Sequence, residues 1–128
     1  MARKFTVKDV EDGARLILLD TYEDAYRFEP KEVFAATSDA LERVRLARPA
    51  SRYVGNIMVD AESELDIPST FTDESLAAFR NTEIQMGRRW MEAVIFYVVH
   101  KMYLKDDPDT KNDNLAQKYL ELFNGALG

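Results

Sequence analysis

Hydrophobic residues recur every three or four positions near both ends of the chain, which predicts amphipathic helices there. In the first stretch, Thr6 and Asp9 have the spacing of a capping box, so we expect a helix to begin at this point. Its apolar stripe comprises Val7, Val10, Ala14, Ile17 and Leu18. The charged residues expected to lie mostly off this stripe are Lys8, Asp9, Glu11, Asp12 and Arg15.

A second helix is predicted between two prolines. Pro30 suits the first helical position because its φ angle is already helical and no amide N–H is needed there, and Pro49 stops the helix. The preceding linker, residues 20–29, carries Tyr22, Tyr26 and Phe28. Three aromatic residues in one linker indicate that it is pinned onto the core.

The period changes after Pro49. A β-leaning run comprises Tyr53, Val54, Ile57 and Val59, and a following acidic series comprises Asp60, Glu62, Glu64 and Asp66. The acids alternate with small or apolar residues up to Ile67, and alternation at period two indicates extended chain. We predict an extended arm or β-hairpin over about residues 50–72, with Pro68 ending its second piece. A coil of the same length is the alternative.

Two further helices are predicted before the last one. Thr72 or Asp73 caps a short helix from Glu74 to about Arg80, and a central helix follows from near Glu83 to Leu104. Residues 94–99 of the central helix have the composition of a buried strand. Helix is nevertheless favoured, because no glycine or proline interrupts residues 88–105, which exceed the length of a typical strand.

After an acidic break at residues 106–109, a last stripe runs from Leu115 to Leu127. The pattern as a whole predicts one all-α domain over residues 1–128. It is a four-helix bundle-like domain with a helical core over about 6–49 and 73–127, and with the extended arm or β-hairpin inserted between the second and third helices.

Composition excludes some classes of protein. The chain of 128 residues has no cysteine, so it has no disulfide framework, thiol nucleophile or cysteine-ligated metal. Met1–Lys4 is basic but no apolar segment follows, so no secretory signal is expected. The longest apolar run, residues 93–99, is far below the roughly 20 residues of a membrane span. The formal charge of −6 argues against a protein that grips DNA phosphates, although ordinary solubility explains it equally well.

Candidate chemistry is sparse. His100 is the sole histidine and has no recognisable nucleophile partner, so a partly buried or interfacial role is favoured over catalysis or metal binding. A calcium loop counted from Asp107 fails in register, because Asn112 and Lys118 occupy the glycine and glutamate positions. Glu92 has Arg88 and Arg89 at helical spacing and is interpreted as a salt-bridge or capping residue. We expect no enzyme, cofactor or metal site.

A buried helix followed by a short acidic turn and a terminal helix resembles one structural family. Its helix carries Glu92-Ala93-Val94, Tyr97-Val98 and Lys105-Asp106, and the terminal helix carries Tyr119, Leu122, Phe123 and Ala126-Leu127-Gly128. The residues at the front of the chain that extend the likeness are Val7 to Val10, Ala14-Arg15, Ile17 to Asp20, Tyr26 to Phe28 and Arg48-Pro49. The family is the head-to-tail adaptor, or connector, proteins of tailed phages, of podovirus type. Residues 50–89 match it poorly.

The resemblance implies a structural protein of the virion, located at the head-tail junction and assembled in the host cytoplasm. In such a family about twelve copies form a ring below the portal, and heterologous contacts close it. The implied partners are the portal protein, neighbouring copies and tail nozzle or fibre proteins, with DNA passing through an acidic lumen without specific binding. The interface candidates are Tyr53, Val54, Ile57, Val59, Asp60, Glu62, Glu64, Asp66, Ile67, Tyr119, Phe123 and Leu127.

A surplus of apolar side chains on the last two helices also favours assembly of several copies. These residues are Trp90, Met91, Phe96, Tyr97, Met102, Tyr103, Tyr119 and Phe123. A central helix that is apolar all round needs cover on every side, and we expect neighbouring subunits to supply part of it.

Two other functions remain open. One is a small acidic helical regulator or inhibitor that binds a basic protein through the face from Asp60 to Asp66, which predicts a monomer or dimer and salt-sensitive binding. The other is a metal-dependent hydrolase built on the acidic clusters, which predicts a tightly bound divalent ion.

Overall fold

The computed structural model describes residues 4–20, 27–54, 57–58, 65–105 and 110–128, with the side chains of 54, 57–58 and 110–112 left aside. Within these ranges the α-helices are α1 (Val7–Leu18), α2 (Pro30–Ala47), α3 (Asp73–Arg80), α4 (Met91–Lys105) and α5 (Thr110–Leu127). The two-residue strands are β1 (Phe5–Thr6), β2 (Tyr53–Val54), β3 (Ile57–Met58) and β4 (Glu83–Ile84). β1 pairs with β4 and β2 with β3, both antiparallel. The predicted all-α fold with a hairpin between the second and third helices is confirmed, with five α-helices in the described ranges and not four.

Helix α1 begins as the capping-box pattern predicts. The Thr6 hydroxyl accepts a 3.2 Å hydrogen bond from the Asp9 N–H, and the Asp9 carboxylate accepts one of 2.9 Å from the Thr6 N–H. The predicted stripe is buried, apart from a partly buried Ile17. The prediction was wrong for Glu11 and Arg15, which are 2% and 3% exposed. They lie inside because each carries its own charged partners, described below.

Helix α2 lies between the two prolines. Pro30 is its first residue, and after Ala47 the chain enters a 3₁₀ turn over Pro49–Arg52. Its buried positions include Val33, Thr37 and Val44, and the Thr37 hydroxyl donates a 2.8 Å hydrogen bond to the Val33 carbonyl. A buried hydroxyl without such a partner is costly, so this bond lets threonine occupy a core position.

The short helix α3 is held by its cap and by aromatic contacts. The Thr72 hydroxyl accepts a 3.1 Å hydrogen bond from the Ser75 N–H, so Thr72 is the cap. Phe34 of α2 packs with Phe71 and Phe79, with ring centroids 5.7 Å and 4.7 Å away. The helix was predicted from Glu74 to about Arg80, and its observed bounds, Asp73–Arg80, agree to within one residue.

Helix α4 is the central helix, but it begins at Met91 and not near Glu83 as the pattern predicted. Glu83 and Ile84 form β4, in which Ile84 lies opposite Phe5, and both apolar side chains are buried. The chain then passes through a 3₁₀ turn, Arg88–Trp90, into the helix. The predicted start near Glu83 was wrong because Glu83 and Ile84 pair with β1, which is distant in the chain. Such pairing leaves no periodic pattern in the local sequence. The helical interpretation of residues 94–99 is confirmed.

Helix α4 packs mainly against α5 and α2, and also against α1. α5 begins at Thr110, five positions before the start of the predicted stripe. α1 approaches α4 closely at Gly13, where a Cβ atom would lie 2.6 Å from Cδ1 of Ile95, so the end of that side chain would have to shift. α1 and α2 contact each other and cover one side of the central helix, and α5 covers another.

Candidate functional site

Among the predicted interface residues of the arm, the structure describes the side chains of Tyr53, Asp66 and Ile67. Tyr53 of β2 is opposite Met58 of β3, and the Tyr53 side chain is 49% exposed. Further along the chain, Asp66 is exposed while Ile67 is partly buried against the core. The candidates Val59, Asp60, Glu62 and Glu64, and the side chains of Val54 and Ile57, lie outside what the structure describes.

The C-terminal candidates divide into two kinds. Tyr119 is partly buried and stacks on Tyr103, with ring centroids 5.8 Å apart. Phe123 and Leu127, by contrast, are buried in the core of the same chain. Their role at an interface stays a prediction, and in the described structure both line the cleft between α2 and α5.

The expected surplus of apolar surface on the last two helices is smaller than predicted. Of the eight residues in that set, Trp90, Tyr97, Met102 and Phe123 are buried. The other four are partly buried against the core. The most exposed large apolar residues lie mainly at helix ends: Leu16, Leu19, Leu46, Leu104 and, in the hairpin, Tyr53.

An open cleft lies between α2 and α5, with α4 as its floor. We call it the α2–α5 cleft; its volume is about 490 Å³, and it adjoins a second hollow of about 390 Å³. Tyr97 and Phe123 lie at its base, with ring centroids 5.0 Å apart, and Leu46 stands on its rim with 67% of its surface exposed. Asp39 and Lys101 form an ion pair of 3.7 Å at the edge of the adjoining hollow. The cleft thus combines an aromatic floor with charged edges.

His100 lines this cleft. Its Nδ1 lies 2.7 Å from the carbonyl oxygen of Ala116, and because that oxygen can only accept, Nδ1 carries the proton. The imidazole therefore joins α4 to α5, and Nε2 is left for other contacts. His100 is partly buried, which agrees with the first of its two predicted alternatives; an interfacial role stays a prediction.

Arg48 links the end of α2 to the end of α5. Its guanidinium donates to the main-chain oxygens of Leu127, at 3.2 Å, and of Gly128. It also donates to the carbonyl of Ala47 at 2.8 Å. The last carbonyls of a helix have no partner within that helix, so Arg48 caps α5 from another element.

A second cluster, which we call the buried charge network, consists of Glu11, Arg15, Asp20 and Arg80. Arg15 donates to Glu11 at 3.0 Å and to Asp20 at 2.7 Å, and Arg80 donates to Glu11 at 2.7 Å. Sequence reasoning missed this cluster. The one signal in the sequence was the four-residue spacing of Glu11 and Arg15, which also fits an exposed surface pair.

The network fixes both ends of the linker after α1. The Asp20 carboxylate accepts hydrogen bonds from the main-chain N–H groups of Arg27, at 2.7 Å, and Phe28, at 3.1 Å. Arg15 also donates to the Phe28 carbonyl at 3.0 Å, and the Phe28 ring is buried. The predicted anchoring of the linker is confirmed for Phe28; Tyr22 and Tyr26 lie outside the described residues. Since both carboxylates are bound by arginines, the arrangement is that of a structural anchor.

Other predicted features have simpler outcomes. Glu92 is exposed, and the described part of the chain shows no ion pair between it and Arg88 or Arg89. Arg89 lies over the Trp90 ring, 4.4 Å from its centroid, so the salt-bridge interpretation of Glu92 is wrong. Glu92 lies in the first turn of α4, where the capping interpretation stays a prediction. No group of three or more metal-ligating side chains occurs among the described residues. In the same ranges, no helix has the length and apolar character needed to cross a bilayer.

No protein-family model matches this chain, and no match was found among curated proteins or solved structures. The resemblance to phage adaptors stays a prediction.

Proposed function

We propose that this protein is a head-to-tail adaptor of a tailed phage, which forms a ring below the portal, links the capsid to the tail and guides the DNA. The role is structural and not catalytic. Its partners are the portal protein, neighbouring copies and the proteins of the tail.

The observation that supports the proposal is that separate motifs of the resemblance contact one another in the fold. At the front of the chain, Arg15, Asp20 and Phe28 are joined by the hydrogen bonds of the buried charge network. Arg48, from another motif, binds the main chain of Leu127 and Gly128 in the terminal motif. Residues that stabilise the same contact are expected to be retained together within a family. The resemblance consists of such motifs, found in the family's order and spacing.

Charge is consistent with a lumen that DNA can pass. About twelve copies, each with a formal charge of −6, would form a strongly acidic ring. Acidic walls repel phosphates, so DNA can slide without being held. Retention of duplex DNA by the isolated ring at low salt would contradict this part of the proposal.

Co-sedimentation with the portal ring encoded in the same genome tests the proposal. We expect saturation at one copy per portal subunit, with bound mass measured after separation. The matched control is the same chain carrying Phe34→Ala, which removes a buried core ring and should lose binding together with its fold. If the well-folded wild-type chain shows no binding, the ring proposal fails and the small acidic regulator becomes the leading alternative.

A further inference from the structure

We propose that the α2–α5 cleft of one copy receives the exposed side of helix α1 from a second copy. We call this exposed side the α1 ridge; it consists of Lys8, Asp12, Leu16 and the C-cap residue Leu19. The inference rests on the proposed ring and names the two surfaces that pair within it.

The α1 ridge faces away from the core of its own chain. Residues four positions apart lie on one face of a helix, and Lys8, Asp12 and Leu16 follow that spacing. All three are exposed, whereas Val10 and Ala14, on the opposite side of the helix, are buried. Leu16 is 66% exposed, so most of its apolar surface has no cover within its own chain.

Leu19 extends the ridge and has an unusual backbone conformation. Its φ of 57° and ψ of 36° lie in the left-handed region, which glycine adopts more readily than a residue with a Cβ atom. Its side chain is 86% exposed, more than any other large apolar side chain in the described ranges. A leucine at this position therefore adds little to the stability of its own chain. A second molecule that covers it would make use of its apolar surface.

The α2–α5 cleft offers matching apolar contacts. Leu46 of α2 stands on its rim with 67% of its surface exposed, and Leu120 of α5 lines its other side. Helices pack by placing a ridge of side chains into a groove, and a helix bound in a groove is anchored by apolar residues three or four positions apart. Leu16 and Leu19 have this spacing. In the cleft they would cover Leu46 and lose their own contact with water.

The charge of the cleft is complementary to the ridge. Arg43 lines both the cleft and the adjoining hollow, and no described carboxylate lines the cleft itself. Arg43 and Asp12 are both exposed, and within the described ranges neither side chain takes part in an ion pair or hydrogen bond. Asp12 lies one turn from Leu16 on the ridge. It can therefore pair with the guanidinium of Arg43 when the leucines occupy the cleft.

A second pair of charges fixes the orientation. Lys8 lies one turn before Asp12, and Glu42 lies in the adjoining hollow, next to Arg43 in the chain. With α1 parallel to the neighbour's α2, pairing of Asp12 with Arg43 brings Lys8 toward Glu42 and the ridge leucines toward Leu46. The antiparallel arrangement would place Lys8 against the apolar rim. Opposite charges at an interface mainly set orientation and partner choice, which a ring contact requires.

The pairing has the symmetry that a ring needs. The α1 ridge and the cleft are different patches of one chain, so a contact between them is heterologous and leaves one free ridge and one free cleft at the ends of any short assembly. Further copies add in the same orientation until the ring closes. An isologous dimer would instead use the same patch twice and stop at two copies.

Disulfide cross-linking tests the pairing in a chain that has no cysteine of its own. The double variant Leu16→Cys with Leu46→Cys is expected to give a ladder of covalently joined copies under mild oxidation. The matched control is Leu16→Cys with Leu104→Cys, because Leu104 is 54% exposed but lies at the end of α4, outside both surfaces. The control should give no ladder beyond dimers. An equal ladder in both variants would overturn the proposed pairing.

Charge reversal in the Leu16→Cys, Leu46→Cys background tests the ion pair. Asp12→Arg and Arg43→Asp should each lower the cross-link yield by about tenfold or more, because each places like charges opposite one another. An equal mixture of the two should recover the yield, since the reversed ridge then meets the reversed cleft and the native ridge meets the native cleft. A mixture that stays as low as its components would contradict the pairing.

The control for charge reversal is Arg88→Asp in the same background. Arg88 is an exposed arginine in the turn before α4, outside both surfaces, so the same change of charge should leave the cross-link yield unchanged. A loss equal to that of Arg43→Asp would mean that overall charge, and not the pair with Asp12, controls association.

The same cross-linking is carried out on the free protein at high concentration and on the portal-bound protein. Portal binding without the expected ladder in either sample overturns the contact between ridge and cleft and leaves the adaptor proposal standing. A ladder without portal binding overturns the adaptor function and leaves the contact standing. Loss of both rejects both.

Discussion

The carboxylate of Glu11 in α1 accepts a 2.7 Å hydrogen bond from Nε of Arg80 in α3, a residue 69 positions further along the chain. α3 has no buried residue of its own; this ion pair, the contact of Phe79 with Phe34 and the partly buried Leu76 help to hold it to the core. The same carboxylate binds Arg15 on its own helix. Glu11 is therefore the point at which α1, α3 and the linker network meet.

Glu11→Gln should lower the free energy of unfolding by about 3 kcal/mol, because it leaves the two guanidiniums facing a neutral amide. Urea denaturation measures this loss. The control is Asp12→Asn, one position along on the exposed face of α1, which should stay within about 0.5 kcal/mol of the wild type. Similar losses in both variants would mean that the network contributes little.

Asp20→Asn should detach the linker locally. The carboxylate accepts from Arg15, Arg27 and Phe28, whereas an amide would turn N–H groups toward some of these donors. We expect faster hydrogen exchange at the amides of Arg27 and Phe28, and a loss of about 2 kcal/mol in stability. Unchanged exchange at these two amides would contradict the anchoring role.

Two glycines lie in helices, Gly13 beside Ile95 and Gly125 in α5. Their substitution by alanine should change stability differently. A Cβ at Gly125 meets nothing within 4 Å, so Gly125→Ala should raise stability by about 0.5–1 kcal/mol through helix propensity. Gly13→Ala should gain less or lose, because its new Cβ would overlap Cδ1 of Ile95. Thermal unfolding of the two variants, measured together, gives the difference.

The reason for the Gly13 result can be isolated with a double-mutant cycle. Ile95→Val removes the Cδ1 atom that a Cβ at position 13 would meet, so Gly13→Ala should be more favourable in that background by about 0.5 kcal/mol or more. Simple additivity of the two substitutions would show that Gly13 is not needed for the approach of α1 to α4.

Arg48→Ala should loosen the last turn of α5, since the oxygens of Leu127 and Gly128 lose their donor. We expect faster hydrogen exchange in the last turn of α5 and a loss of about 1 kcal/mol. The control is Arg43→Ala, an exposed arginine of α2 that lines the α2–α5 cleft. Equal effects of the two substitutions would point to general surface charge and not to capping.

Local sequence signals were correct where one element decides its own structure. The Thr6 capping box, Pro30 at the start of α2 and Thr72 at the start of α3 are all confirmed. The same holds for the central helix over residues 94–99, whose length settled the choice. Each of these features depends on residues only a few positions apart, so the chain itself contains the necessary information.

The sequence by itself thus determined that these helices exist, how α1 and α3 are capped, that an extended insertion follows the second helix, and the excess of negative charge. Tertiary structure decided the rest. Burial of Glu11 depends on Arg80, pairing of Ile84 depends on Phe5, and capping of Leu127 depends on Arg48, all across long separations in the chain. Periodicity reports which side of an element is apolar, but not which distant charge or strand will meet it. The α2–α5 cleft likewise exists only because α2 and α5 pack on the same helix without closing over it.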